Sequence, residues 1–340
     1  MTSKFLPYYD EHKNKVSKTY ILDTQKDWET VWMSAWVHGN EYAWVYALKD
    51  FKEKVEGGII SINKGKIILI LEWNQQALQE NVRCIDPHSD LNRVIHGVPQ
   101  EYKKDNYEQN RWKQIKKLID NVCPHYWLDL HTVSSSRAKP YLFSGIKGYY
   151  EKAQNLWINN IAINWSNTHK WKTKESNPVS QWVADYVNYT WSHGFTFEAW
   201  NHESPEWAVN SYQAIINFLV SLDMMKWYTV IQNNKNMSKP EFLLNADEWV
   251  QNIWNEKWKN HVHMEYYHTF IWGFEYIGGT PYSFTRYKKW ELIGYDISEI
   301  GLRKEVFAKF DGYIILPKDP KICIPWKEVF FYGKDIKDIL

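Results

Sequence analysis

Residues 30–37, Thr-Val-Trp-Met-Ser-Ala-Trp-Val, form a largely apolar run, and residues 66–71, Lys-Ile-Ile-Leu-Ile-Leu, form a second. Runs of this length, dense in apolar side chains, predict strands buried on both faces of a sheet covered by helices. Residues 18–22 predict an earlier strand of the same kind. Between these strands the alanine- and leucine-bearing stretch 42–48 predicts a helix from Glu41 to about Val55, stopped at Gly57-Gly58. Residues 100–122 are charged, with Trp112, Ile115, Leu118 and Ile119 at helical intervals, the mark of an amphipathic helix. It leads into a predicted strand at 126–131, Tyr-Trp-Leu-Asp-Leu-His. Helical patterns at 179–190 and 206–227 flank a strand-like stretch at 194–198. Strands alternating with helices predict an α/β protein, a mixed sheet flanked by helices.

The pattern changes after the polar, proline-terminated stretch 232–240. Short aromatic and β-branched runs follow, broken by Gly278-Gly279, Thr280-Pro281 and Lys318-Asp319-Pro320. The expected division is an α/β unit at 1–231 and a smaller β-rich unit at 241–340.

Composition narrows the function classes. The 340 residues carry 41 basic and 40 acidic side chains, a net charge of +1, so no electrostatic footprint for nucleic acid or an anionic membrane is expected. No apolar run has the length of a membrane span and the first twenty residues lack a signal-peptide core, which predicts a soluble, cytoplasmic protein. Cys84, Cys123 and Cys323 are odd in number and scattered, which fits free thiols in a reducing compartment.

Candidate chemistry lies in four stretches. His38 and Glu41 stand three apart where a strand hands over to a helix, so an imidazole and a carboxylate on rigid supports can converge on one metal ion. His-x-x-Glu alone describes equally well a hydrogen-bonded histidine beside a glutamate at a helix start. Asp129-Leu130-His131 ends a predicted strand, the place where ligands bind in open α/β sheets. His131 completes a two-histidine, one-carboxylate set of the kind catalytic zinc sites use, with a coordination position left over. Asp129 shares a face with His131 and is either its hydrogen-bond partner or a buried structural acid. Arg83, a short loop before Asp90-Leu91-Asn92-Arg93, offers a cation to polarise a carbonyl and forked donors to hold a carboxylate; ordinary surface salt bridges are the alternative. Glu198 ends an otherwise apolar strand, where a carboxylate is costly to bury unless it serves, for example, as a general base.

These stretches, read in order as Val37-His-Gly-Asn-Glu-Tyr42, Arg83 with Asp90-Leu-Asn-Arg93, Asp129-Leu-His-Thr132, and Phe197-Glu198 followed by Asn201, resemble the motifs of the succinylglutamate desuccinylase/aspartoacylase family. Members are zinc amidohydrolases with a carboxypeptidase-like catalytic domain and a smaller β-rich C-terminal domain. Residues 312–317 and 328–332 resemble the family's last strands. The resemblance implies one zinc per chain held by His38, Glu41 and His131, with Glu198 as base and proton shuttle. It implies that Arg83 polarises the scissile carbonyl and that Asn92 and Arg93 bind a substrate carboxylate. The implied reaction is amide hydrolysis of an N-acyl amino acid or a related small carboxylate-bearing amide. A carboxypeptidase-like peptidase, or a zinc- or small-ligand-binding protein without turnover, remains open. Aspartoacylases carry a further arginine shortly before the catalytic glutamate, whereas this chain has none between Arg137 and Arg286. That points away from acetylaspartate.

The chain departs from the family pattern in one further respect. It has 21 tryptophans and 15 glycines, where average usage gives about 24 glycines for this length. Trp36, Trp44, Trp73, Trp200, Trp290 and Trp326 stand where the resemblance places glycine. Either a tryptophan-rich core has co-adapted, or some of these residues are UGA codons that the source organism reads as glycine.

Overall fold

The computed structural model describes residues 5–9, 15–35, 37–86, 90–92, 107–135, 137–144, 150–154, 156, 158–163, 187, 192–202, 206–226, 229–232, 242–245, 260–323, 325 and 328–338. Arg93, Trp36, Trp326, nearly all of the expected helix at 179–190 and most of the stretch 232–240 lie outside the described residues.

The N-terminal part runs β1 (Phe5–Tyr9), β2 (Lys15–Asp23), β3 (Thr30–Ala35), α1 (Ala43–Glu56), β4 (Lys66–Ile70), α2 (Gln75–Gln79) and α3 (Tyr107–Val122). It continues through β5 (Tyr126–Val133), β6 (Tyr141–Ser144), α4 (Tyr150–Gln154), β7 (Asn160–Ile163), β8 (His193–Asn201) and α5 (Glu206–Ser221). Next come β9 (Thr229–Gln232), β10 (Phe242–Asn245), β11 (Asn260–Thr269), β12 (Gly273–Tyr276), β13 (Thr285–Tyr287), β14 (Leu292–Ile297), β15 (Arg303–Phe307), β16 (Gly312–Ile315) and β17 (Glu328–Asp335).

Twelve strands join in one mixed sheet of order β1-β2-β4-β3-β5-β8-β6-β7-β11-β17-β16-β13. Its centre, β4-β3-β5-β8, is parallel. The mixed α/β sheet expected from the sequence is therefore present. The β-rich C-terminal part is present too: β11, β13, β16 and β17 extend the main sheet through a parallel pairing of β11 with β7, while β12, β14 and β15 form a separate three-stranded sheet.

The central strands are buried on both faces, as their continuous apolar runs predict, and alternate residues divide between two cores. Val31, Met33, Ile67, Leu69, Leu128, Leu130, Phe195 and Phe197 face a core shared with α1 and α5. Trp32, Ile68, Ile70 and Trp127 face the opposite core with Trp112, Ile115, Leu118 and Ile119 of α3. The second face also carries Ser34, Asp129 and His131, because they alternate with apolar residues of the first.

The tryptophans divide in the same way. Trp73 packs against the stacked pair Trp32 and Trp127, with ring centroids 6.2 and 5.3 Å away, and Trp44 meets Phe197 edge-on at 5.7 Å. Both indoles are fully buried, and neither Nε1 has a hydrogen-bond partner among the described residues. Trp290 is different: 70% exposed and in the left-handed region at φ 68°. Trp200 lies on β8.

Candidate active site

The site forms at the carboxyl ends of β3, β5 and β8, where parallel neighbours deliver side chains to one place. The turn after β3 carries His38 and Glu41. It is pressed against α2, whose first turn is capped by Asn74 Oδ1, 3.3 Å from the Ala77 amide. Asn74 Nδ2 also donates to the Val37 carbonyl at 3.5 Å, and the Gly39 amide donates to the Arg83 carbonyl at 3.3 Å. Val37 contributes to the α3-side core, so the turn is tied down from below as well.

His38, Glu41 and His131 are all buried. Glu41 lies between the two imidazoles: Oε1 is 2.6 Å from His38 Nδ1 and Oε2 is 3.1 Å from His131 Nδ1. The Thr132 amide also donates to Oε2, at 3.1 Å. The outer nitrogen of each histidine meets a further carboxylate, His38 Nε2 at 3.2 Å from Asp90 Oδ1 and His131 Nε2 at 2.8 Å from Asp129 Oδ2. Asp129 is itself fixed, because Ser34 Oγ donates to its Oδ1 at 2.7 Å and Trp127 Nε1 donates to Ser34 Oγ at 2.9 Å. Burial works to raise the Glu41 pKa, but the charges of His38 and His131 overcome it and hold the carboxyl well below the ordinary range. Burial likewise opposes the charged form of His131, and Asp129 and then Glu41 reverse it, so its pKa stands well above normal.

The three residues present ligand atoms that all lie within 4.8 Å of one another. Two imidazoles and one carboxylate, each imidazole oriented by an outer carboxylate, are the donor set and supporting shell of a zinc site. The residues present fit that ion.

Glu198 on β8 is the register partner of His131 on β5. It is half-buried, and its Oε2 has no hydrogen-bond partner among the described residues. Burial raises its pKa to about 8; His131 and Arg83 pull it down, while Glu41 and Asp129 push it up. Arg83 lies half-exposed across the turn, with Nη1 4.0 Å from Glu41 Oε1. Its Nε and Nη2 donate to Asp90 Oδ2 at 3.0 and 2.9 Å. The loop after Arg83 is anchored by Glu108 of α3, whose Oε1 accepts from the Ile85 and Asp86 amides at 2.6 and 3.4 Å. Asn92 is buried and its backbone N–H donates to Asp90 Oδ1 at 2.9 Å.

The structure thus brings His38, Glu41, His131, Glu198 and Arg83 together and ties Asn92 to them through Asp90. Three side chains at the site had no role in the sequence reading. Asp90 links Arg83 to His38, although only its place in the Asp90–Arg93 run could have drawn attention to it. His202 puts Nδ1 2.6 Å from Thr132 Oγ1, and its position just after Asn201 was a weak signal. Tyr141 sits in an apolar strand and gave none.

Residues 27–157 match the family model of the Succinylglutamate desuccinylase/Aspartoacylase catalytic domain. A search of curated proteins gives no match. Among solved structures, a succinylglutamate desuccinylase/aspartoacylase from Rhodobacter sphaeroides is similar with a TM-score of 0.67 at 14% identity, covering 98% of this chain and 95% of that one. The product-bound ectoine utilization protein EutE (DoeB) from Ruegeria pomeroyi gives 0.63 at 13% identity, covering 97% and 93%. A succinylglutamate desuccinylase from Chromobacterium violaceum gives 0.60 at 14%, covering 93% and 88%. At these identities the structural likeness is one of fold. The sequence match, which spans His38, Glu41, Arg83 and His131, is to the catalytic domain of the succinylglutamate desuccinylase/aspartoacylase family and covers residues 27–157 of the 340.

Proposed function

We propose that this protein is a zinc-dependent, cytoplasmic deacylase that hydrolyses the amide bond of an N-acyl amino acid or a related small carboxylate-bearing amide. The observation that carries the reading is the buried His38-Glu41-His131 group with Glu198 paired beside it across β5 and β8. A zinc ion held by His38, Glu41 and His131 would supply Lewis acidity toward a carbonyl oxygen and toward water. Glu198, at the unpaired Oε2, takes the proton of the attacking water and passes it to the leaving nitrogen. Water adds to the acyl carbon, the C–N bond breaks, and the products are an acid and a free amine. Arg83, whose Nη1 lies 4.0 Å from Glu41 Oε1, meets the acyl oxygen as negative charge develops on it. Asn92, with Arg93 next in the chain, binds a substrate carboxylate. The division into a catalytic unit at 1–231 and a β-rich unit at 241–340 belongs to the same proposal.

The test is a screen of N-acyl amino acids and C-terminal peptides against zinc-loaded protein, read with Glu198→Gln beside it. The parent should hydrolyse N-acyl amino acids, and the variant should keep its zinc and fold while losing roughly 10²–10⁴-fold in turnover. Turnover of peptides alone would replace the deacylase reading by a peptidase. No turnover of either class would leave a binding protein.

A further inference from the structure

Strand pairing sets three polar side chains in a row across the mouth of the sheet. His131 on β5 pairs with Glu198 on β8, and Glu198 pairs with Tyr141 on β6. Directly paired residues project from the same face, so Tyr141 stands on the far side of Glu198 from the histidine.

Its ring is fixed. It meets Phe143 edge-on with centroids 4.5 Å apart and Phe284 at 5.8 Å, inside an apolar cluster that includes Val262, Ile315 and Phe331 of the C-terminal part. The residue is fully buried, yet its hydroxyl has no hydrogen-bond partner among the described residues. Glu198 Oε2 is in the same condition. Burial, followed by the charges of Glu198 and Glu41, raises the phenol's pKa well above normal, so it stays protonated and can donate. Buried hydroxyls in folded proteins nearly always have a partner. A rigidly held donor left over beside a reacting carboxylate calls for an acceptor that arrives with the ligand.

We propose that Tyr141 is a further substrate-contacting residue, donating its phenolic hydrogen to a substrate oxygen lying beside Glu198. The site then selects for substrates that carry an acceptor oxygen at that place. The identity of the substrate rests on the hydrolase reading above, whereas the contact itself rests on the strand register and the unpartnered hydroxyl.

Tyr141→Phe deletes the donor and keeps the ring among Phe143 and Phe284. With zinc-loaded protein and N-acyl amino acids, kcat/KM should fall roughly tenfold or more, the loss expected for a hydrogen bond to a charged or developing-charge oxygen. Zinc content should not change, and Tm should be equal or higher, because a buried unpaired hydroxyl has been removed. A residue that served only the fold would lose Tm and leave kinetics alone, so a lowered Tm overturns the proposal. If the parent hydrolyses N-acyl amino acids and Tyr141→Phe does so equally well, the contact is refuted and the hydrolase reading stands. If the parent hydrolyses none, that reading fails, and calorimetric titration of both proteins with N-acetyl amino acids decides the contact. Affinity weakened about tenfold in the variant supports it; equal affinity, or no binding to either protein, overturns it.

Discussion

Gly39 lies so close to Ala77 that a Cβ on it would stand 2.1 Å from the Ala77 carbonyl carbon and 2.2 Å from its oxygen. The obstacle is backbone at the start of a capped helix, which cannot swing aside as a side chain can. The contact presses the turn bearing His38 and Glu41 against α2 and thereby aims both residues at His131. Gly39→Ala is expected to destabilise the protein toward the upper end of about 1–3 kcal/mol, the cost of overpacking. It should also lower zinc content, because the turn must move. Thermal unfolding and elemental analysis of the same preparation check both; an unchanged Tm with full zinc would show that the close approach is not needed.

Trp290 combines a φ of 68° with 70% exposure. A left-handed backbone costs a residue with a Cβ about 1–2 kcal/mol, and an exposed indole recovers little by burial. Trp290→Gly should therefore stabilise the protein by roughly 1 kcal/mol, after allowance for glycine's greater freedom when unfolded. Denaturant unfolding measures this directly. Trp44 and Trp73 have the opposite environment, buried and packed against other aromatic rings, so their indoles fill space that glycine would leave empty. The gene decides between recoding and co-adaptation: UGG at Trp36, Trp44, Trp73 and Trp200 would end the idea that UGA is read as glycine.

The candidate metal-ligating set was legible because its geometry is local or strand-borne. His38 and Glu41 share one turn, and His131 lies two residues before the end of β5, where alternation with Leu128 and Leu130 fixed its face. The central strands were legible because burial on both sides leaves a continuous apolar run. The β6–β8 register was not, because Tyr141–Ser144 reads as one more short apolar stretch and nothing in it names its antiparallel partner. For the same reason Tyr141 was invisible: its distinguishing property is the lack of a hydroxyl partner among the described residues, which arises only from the packing of chain segments far apart in sequence. Asp90 was visible as a residue but not as a link, since its bonds to Arg83 and His38 depend on a loop folding back over the turn.

Asp129 fixes His131 while Ser34 and Trp127 fix Asp129. Asp129→Asn keeps the shape but removes the charge that holds the outer imidazole proton. Zinc affinity should drop about 10–100-fold, the usual effect of losing a partner of a metal-bound histidine. Competition with a chromogenic chelator reads the change, and affinity equal to the parent's would show that Asp129 is only a structural acid.

His193, at the start of β8 and far along the strand from Glu198, has its pKa lowered to about 4, by burial first and then by the neighbouring charges of Lys152 and His125. Its ring lies 5.2 Å from that of Tyr126. In the unfolded chain a histidine titrates near about 6.5. Between these values the unfolded state binds the proton and the folded state does not, so stability falls as pH drops from about 6.5 toward 4. Below that window both states are protonated and His193 adds no further slope. His193→Gln should therefore make the acid loss of stability shallower within this window and leave the slope above pH 7 unchanged. Urea unfolding of both proteins at several pH values, with a chelator present so that metal release does not enter, measures the difference. Parallel pH profiles for the two proteins would mean that His193 is already accessible to protons in the folded state.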